Sequence, residues 1–189
     1  MAGTLRDRAT GLLRAWRPPD PGQAWLRERY VRHLEAHEDG AYRHCVPDHL
    51  TASTIVLSRD GGHVLLTLHA KARRWFQLGG HAETGDASLL DAAAREAREE
   101  SGLELTLDPV PVHLDEHAVP FCGDRGDVHH LDVRFLAVAD RDGAHATSEE
   151  SLEVAWWPVD ALPDPEPGLV ELVRLARERR AGATPTDQA

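Results

Sequence analysis

A chain of 189 residues with 32 acidic against 21 basic side chains, a formal net charge of -11, has the length for one domain with a real core and a small extension. So acidic a surface repels a phosphate backbone, which argues against a nucleic-acid polymer as partner but leaves room for a small phosphorylated substrate beside a bound cation. Apolar residues make up 41% of the chain, and no apolar run approaches the roughly 18 residues of a membrane span, so a globular protein with no membrane partner is expected.

Leu5, Leu12, Leu13 and Trp16 predict a short amphipathic helix, broken by Pro18, Pro19 and Pro21. A second helix is predicted over residues 23–38, with Leu26, Tyr30 and Leu34 along one face. The two form an N-terminal helical extension, residues 1–48, whose apolar stripes must be buried on the main domain or across a homodimer interface. The first segment, with Arg6, Asp7, Arg8, Arg14 and Arg17, lacks the apolar centre of a signal peptide. Cys45 and Cys122 are too few for a disulfide framework or a cysteine-based zinc site, and reduced thiols in the cytoplasm are the expectation.

The main domain is placed at residues 49–181. Residues 51–58 are rich in β-branched side chains and predict a strand, which turns at Asp60, Gly61 and Gly62 into a partner strand at 63–68. Residues 75–78 are a short apolar run, and Gly79, Gly80 and Gly85 mark a loop. Asp86 or Ser88 can cap a helix that runs to about Ser101 and stops at Gly102. Leu103, Leu105 and Leu107 alternate as in a strand; residues 110–119 are extended, and 120–126 form a loop. Residues 130–139 predict a stronger strand, with Leu131, Val133, Phe135 and Ala137 on one side. A polar loop follows at 140–151, then a strand at 154–159, an amphipathic helix at 168–180 and a disordered tail at 182–189. Strands, one helix, more strands and a last helix predict an α/β protein with a mixed sheet between helices.

The chemistry concentrates in residues 79–103, GGHAETGDASLLDAAAREAREESGL. Leu89, Leu90, Ala93, Ala94 and Ala97 give the helix an apolar face. Glu96, Glu99 and Glu100 lie at i, i+3 and i+4, on one side of a helix with about 3.6 residues per turn. Acidic helix faces are ordinarily just solvated, and the neighbouring Arg95 and Arg98 could pair with these acids. Clustered carboxylates nevertheless repel one another, and a hard divalent cation relieves that cost.

The stretch resembles the Nudix box, G-x5-E-x7-R-E-U-x-E-E-x-G-U with U aliphatic. Gly80 matches the first glycine, and Arg95, Glu96, Glu99, Glu100, Gly102 and Leu103 match the second half, with Ala97 a small version of the aliphatic position. Asp86 replaces the loop glutamate, and eight residues rather than seven separate it from Arg95. The spacing puts in question how Arg95 is held, with Glu83 an alternative to Asp86. The resemblance extends over about residues 50–162.

It implies the Nudix fold, an α/β/α sandwich, and a magnesium- or manganese-dependent hydrolase that cleaves a diphosphate linkage in a nucleotide-like molecule. It implies Glu96 and Glu100 as the firmest metal ligands, Glu99 as a third ligand or as the base for the attacking water, and Arg95 as the residue that orients them. Glu149 and Glu150, in the polar loop before residue 154, are candidates for a further catalytic acid, with Glu116 weaker. Gly80, His81, Lys71 and Arg74 are candidate substrate contacts; Arg73 belongs to the same basic turn, and His129 and His130 could line the site. Trp156 and Trp157 must point to opposite faces of their strand, so one is core and the other is available to stack on a base. Two other readings stay open: an isopentenyl diphosphate isomerase-like enzyme, which needs a catalytic cysteine, and a sensing module that binds without cleaving.

Overall fold

The computed structural model describes residues 3–119, 128–141 and 151–182. The elements run α1 (Leu5–Ala15), α2 (Pro21–Ala36), β1 (Asp48–Ser58), β2 (His63–His69), β3 (Trp75–Phe76), β4 (Leu78–His81), α3 (Leu89–Ser101), β5 (His113–Ala118), β6 (His129–Ala139), β7 (Ser151–Pro158) and α4 (Pro167–Gly182). No helix among the described residues is long and apolar enough to cross a membrane.

The seven strands form one mixed sheet centred on β1. One edge of β1 runs parallel to β6 along its whole length, from Asp48↔His129 to Ser58↔Ala139. Its other edge is shared: residues 51–54 pair antiparallel with β4, and Val56 and Leu57 pair with β2. β5 lies antiparallel to β6, and β7 to β2. The period of two then sorts the side chains. Leu50, Ala52 and Val56 of β1, with Leu131, Val133 and Phe135 of β6, join a core with α1, α2 and α3. Ile55, Leu57 and Leu136 point the other way, into a second core under α4. Trp156 packs against the first core and Trp157 against the second, where it meets Trp75 edge-on at 5.2 Å. Both tryptophans thus pack within the fold.

Several sequence readings shift. Gly79 and Gly80 sit inside β4 rather than in a loop, because a strand here must lie flush against both β1 and α3. A Cβ on Gly79, whose φ is +153°, would stand 2.3 Å from the Ser53 Cβ. Leu103 to Leu107 form no strand; Leu107 makes one isolated bridge to Ala137, and the leucines serve as packing against the first core. The expected loops at 120–126 and 140–151 lie wholly or largely outside the described residues, as do the tail from 183 and Cys122.

The N-terminal helices pack on the sheet of their own chain. Asp20 caps α2, with Pro21 in the first turn where a missing N–H costs nothing. Leu13, Tyr30 and Leu34 are fully buried; such burial contributes roughly 1.5–3 kcal/mol per side chain. The Gln23 side chain both donates to the Leu114 carbonyl at 2.9 Å and accepts the Leu114 N–H at 2.7 Å, satisfying backbone of β5 as a further strand would. Trp16 donates to the Pro111 carbonyl at 2.6 Å, and Tyr30 to that of Asp115 at 2.7 Å.

Candidate active site

The site is built from β4 and α3, joined by the turn between them. Ser88 caps α3 by accepting the Asp91 N–H, and Gly102 ends it in the left-handed region at φ 72°. Asp86 therefore does not cap the helix; it holds Arg95. Its two oxygens accept from Arg95 Nε at 3.2 Å and Nη2 at 3.1 Å, and one also accepts the Glu83 N–H at 2.8 Å. The altered spacing is absorbed by this turn, and the exposed Glu83 contributes its backbone rather than its carboxylate.

Arg95 is the hub. Nη1 donates to Glu96 and Glu99, each at 3.0 Å, while Nη2 also donates to the His81 carbonyl at 2.8 Å. Burial works against its charge, but the hydrogen bonds to Asp86 and the charges of Glu96 and Asp86 outweigh it and raise its pKa further. Glu100 is buried at 7% exposure and accepts the Gly79 N–H at 2.9 Å. Glu96 lies against Gly80, where a Cβ would come within 2.7 Å of its carboxylate. Glu99 stands at the rim, its side chain half-exposed. Three carboxylates, Asp86, Glu96 and Glu99, thus meet one guanidinium, and a fourth, Glu100, is held by the Gly79 N–H. The remaining negative charge and the all-oxygen donor set fit a hard divalent cation such as magnesium or manganese.

The other sequence candidates disperse. Lys71 is exposed in the turn before β3, and Arg74 is paired with Glu166 near the start of α4. Arg73, in the same turn, takes a positive φ of 55°. Glu116 is bound by Arg29 of α2 at 3.3 Å, which ties it to the N-terminal helices. His129 pairs with Asp48 at 3.3 Å. Glu149 and Glu150 lie outside the described residues. The His81 backbone serves Arg95, but its ring turns to the opposite side of β4, where it meets His49 and His130.

That opposite side carries polar groups the sequence reading passed over. Asp132 accepts from Thr51 (3.1 Å), Ser53 (2.7 Å), Gln77 (3.2 Å) and Arg134 (2.8 Å), and Arg134 also reaches Asp115 at 2.9 Å. The available signal was the pattern itself: His49, Thr51 and Ser53 alternate with Leu50 and Ala52, and Asp132 and Arg134, two and four places after the already noted His130, alternate with Leu131 and Val133.

A family model described as NUDIX domain matches residues 47–176. Among solved structures, a hydrolase of the NUDIX family from Clostridium perfringens is 25% identical, with a TM-score of 0.54 over 72% of this chain and 98% of that one. An Ap4A hydrolase from C. elegans superposes with a TM-score of 0.58 at 18% identity, over 70% of this chain and 98% of that one. The NUDIX domain of Shewanella oneidensis NrtR, solved with ADP ribose, does so at 0.55 and 23% identity, over 69% and 86%. A comparison with curated proteins returned no match. With the family model spanning most of the chain and the box residues gathered on β4 and α3, this protein belongs to the Nudix family, whose members are hydrolases acting on pyrophosphate bonds.

Proposed function

We propose that this protein hydrolyses a diphosphate linkage in a nucleoside diphosphate joined to a second moiety, with Glu96, Glu99 and Glu100 holding magnesium or manganese. The observation that carries the reading is the set of carboxylates fixed around Arg95 on α3, an arrangement whose repulsion a divalent cation relieves. Such an ion supplies charge neutralisation for the diphosphate and lowers the pKa of a water nearby. The chain's own groups do the positioning. Asp86 locks Arg95, Arg95 aims Glu96 and Glu99, and the Gly79 N–H fixes Glu100. Glu99, at the rim, accepts a proton from the attacking water; Glu149 or Glu150 is the alternative acceptor, and Gln variants of each separate the three. Lys71, exposed, is the candidate phosphate contact.

A sensing module would not need these carboxylates as a set. An isomerase-like reaction needs a reactive thiol; Cys45 is buried, with burial foremost in pushing its pKa to about 11, which argues against it in that role, and Cys122 lies outside the described residues. The test is a panel of diphosphates, beginning with ADP ribose and Ap4A, read by mass spectrometry with and without magnesium. Monophosphate release that depends on the metal is expected; release undiminished after thorough chelation overturns the reading.

A further inference from the structure

On the face of β4 away from the glutamates, three strands bring three imidazoles together. His49 of β1 is in register with His130 of β6, and His81 of β4 is opposite Thr51. The ring centroids are 5.1 Å apart for His49 and His81, 5.0 Å for His49 and His130, and 4.9 Å for His81 and His130. One nitrogen from each ring lies within 4.8 Å of those of the other two. We propose that His49, His81 and His130 form a binding site for a borderline-soft transition-metal ion, zinc foremost, separate from the carboxylate site.

Three features carry this. The first is distance. The Nε2 atoms of His81 and His130 are 3.2 Å apart. Two imidazoles bound tetrahedrally to zinc, with Zn–N of about 2.0–2.1 Å, have their nitrogens roughly 3.3–3.4 Å apart. The second is tautomer. His49 Nδ1 lies 3.0 Å from the Cys45 carbonyl, which can only accept, so Nδ1 carries the proton and Nε2 presents its lone pair. A backbone carbonyl on the far nitrogen is the usual device that orients a metal-binding histidine. The third is charge. Asp132, on the same face, directs its bonds to Thr51, Ser53, Gln77 and Arg134, and Asp115 is engaged by His117 and Arg134, so neither carboxylate is given over to the three rings, on which the positive charge of Arg43 also acts. Ligation takes imidazole nitrogens that carry no proton, and the 3.2 Å approach of His81 Nε2 to His130 Nε2 requires that at least one of the two be such a nitrogen. Three imidazoles favour zinc over magnesium, and they leave the fourth position of a tetrahedral ion for water or a substrate oxygen.

A plain histidine cluster joined by a hydrogen bond is the rival account, and zinc binding separates the two. The full-length chain, stripped of metal, is titrated with zinc chloride by calorimetry as wild type and as the E96Q/E100Q variant. One tight equivalent is expected to survive in the variant, since its ligands lie across β4 from the glutamates. In that background, His49→Gln and His130→Gln should each weaken binding by more than about 100-fold, beyond the loss that removal of an outer partner causes. X-ray absorption of the zinc-loaded E96Q/E100Q protein does not depend on whether the histidine variants fold. Imidazole scattering from about three nitrogens near 2.0 Å supports the site. Absence of a tight equivalent, an oxygen-only shell, or sulfur near about 2.3 Å, which would assign the ion to the group of His37, Asp39 and Cys45, overturns it.

Discussion

β4 has a carboxylate side and an imidazole side, and the two solve opposite electrostatic problems. On the α3 side, Asp86, Glu96 and Glu99 share the charge of Arg95, with Glu100 buried beside them, so the site is over-supplied with negative charge. On the other side, His49, His81 and His130 lie together, and burial first, then the neighbouring positive charges, hold their pKa values below the ordinary histidine value. The first arrangement attracts a hard cation through charge, the second a softer ion through lone pairs. What separates them is a strand containing Gly79 and Gly80, thin enough for Glu96 to lie against Gly80 on one face and for Ser53 of the paired strand β1 to crowd Gly79 from the side.

The sharpest way to break this contrast is Glu100→Gln, which keeps shape and the acceptor for the Gly79 N–H but removes charge. We expect kcat to fall on the order of 100-fold or more with the fold intact; a near-normal kcat would make Glu100 a structural acid. Gly79→Ala tests the thinness of β4. Its Cβ would strike the Ser53 backbone and side chain, so a stability loss of about 3 kcal/mol is expected by urea unfolding, whereas Gly80→Ala, which meets only the flexible end of Glu96, should cost activity more than stability. Arg95→Met leaves three acids without their cation. A loss of about 2 kcal/mol is expected in chelator, partly recovered on adding magnesium; equal losses with and without magnesium would show that the cluster does not bind it.

Smaller effects probe the surroundings. Gln23→Ala strands the Leu114 N–H and carbonyl and should cost about 1–3 kcal/mol, while unchanged melting would make the N-terminal helices a loose appendage. His113 offers a pH test. Burial first, then the Arg134 charge, lower its pKa to about 4 in the fold. The unfolded chain therefore binds a proton near pH 6.5 that the folded chain refuses, so stability is full above about pH 6.5 and falls towards pH 4. His113→Gln should flatten that slope by no more than about 3 kcal/mol; an unchanged slope would place the acid sensitivity elsewhere.

Sequence alone determined the parts whose cause is local. Helical spacing placed Glu96, Glu99 and Glu100 on one side of α3, Gly102 marked its end while its start stayed between Asp86 and Ser88, and alternation in β6 assigned Leu131, Val133, Phe135 and Ala137 to one face. Tertiary structure decided what depends on strands meeting from far along the chain. The choice between Asp86 and Glu83 as the partner of Arg95 turned on how the β4–α3 turn folds. Whether Gly79 and Gly80 were loop or strand turned on the approach of β1 and α3. The burial of α1 and α2 on their own sheet turned on Gln23, Tyr30 and Trp16 finding backbone groups some 85–95 residues away. The meeting of His49, His81 and His130 is of the same kind: periodicity reports which face a side chain takes within its own strand, but only strand order and register bring side chains from three strands together.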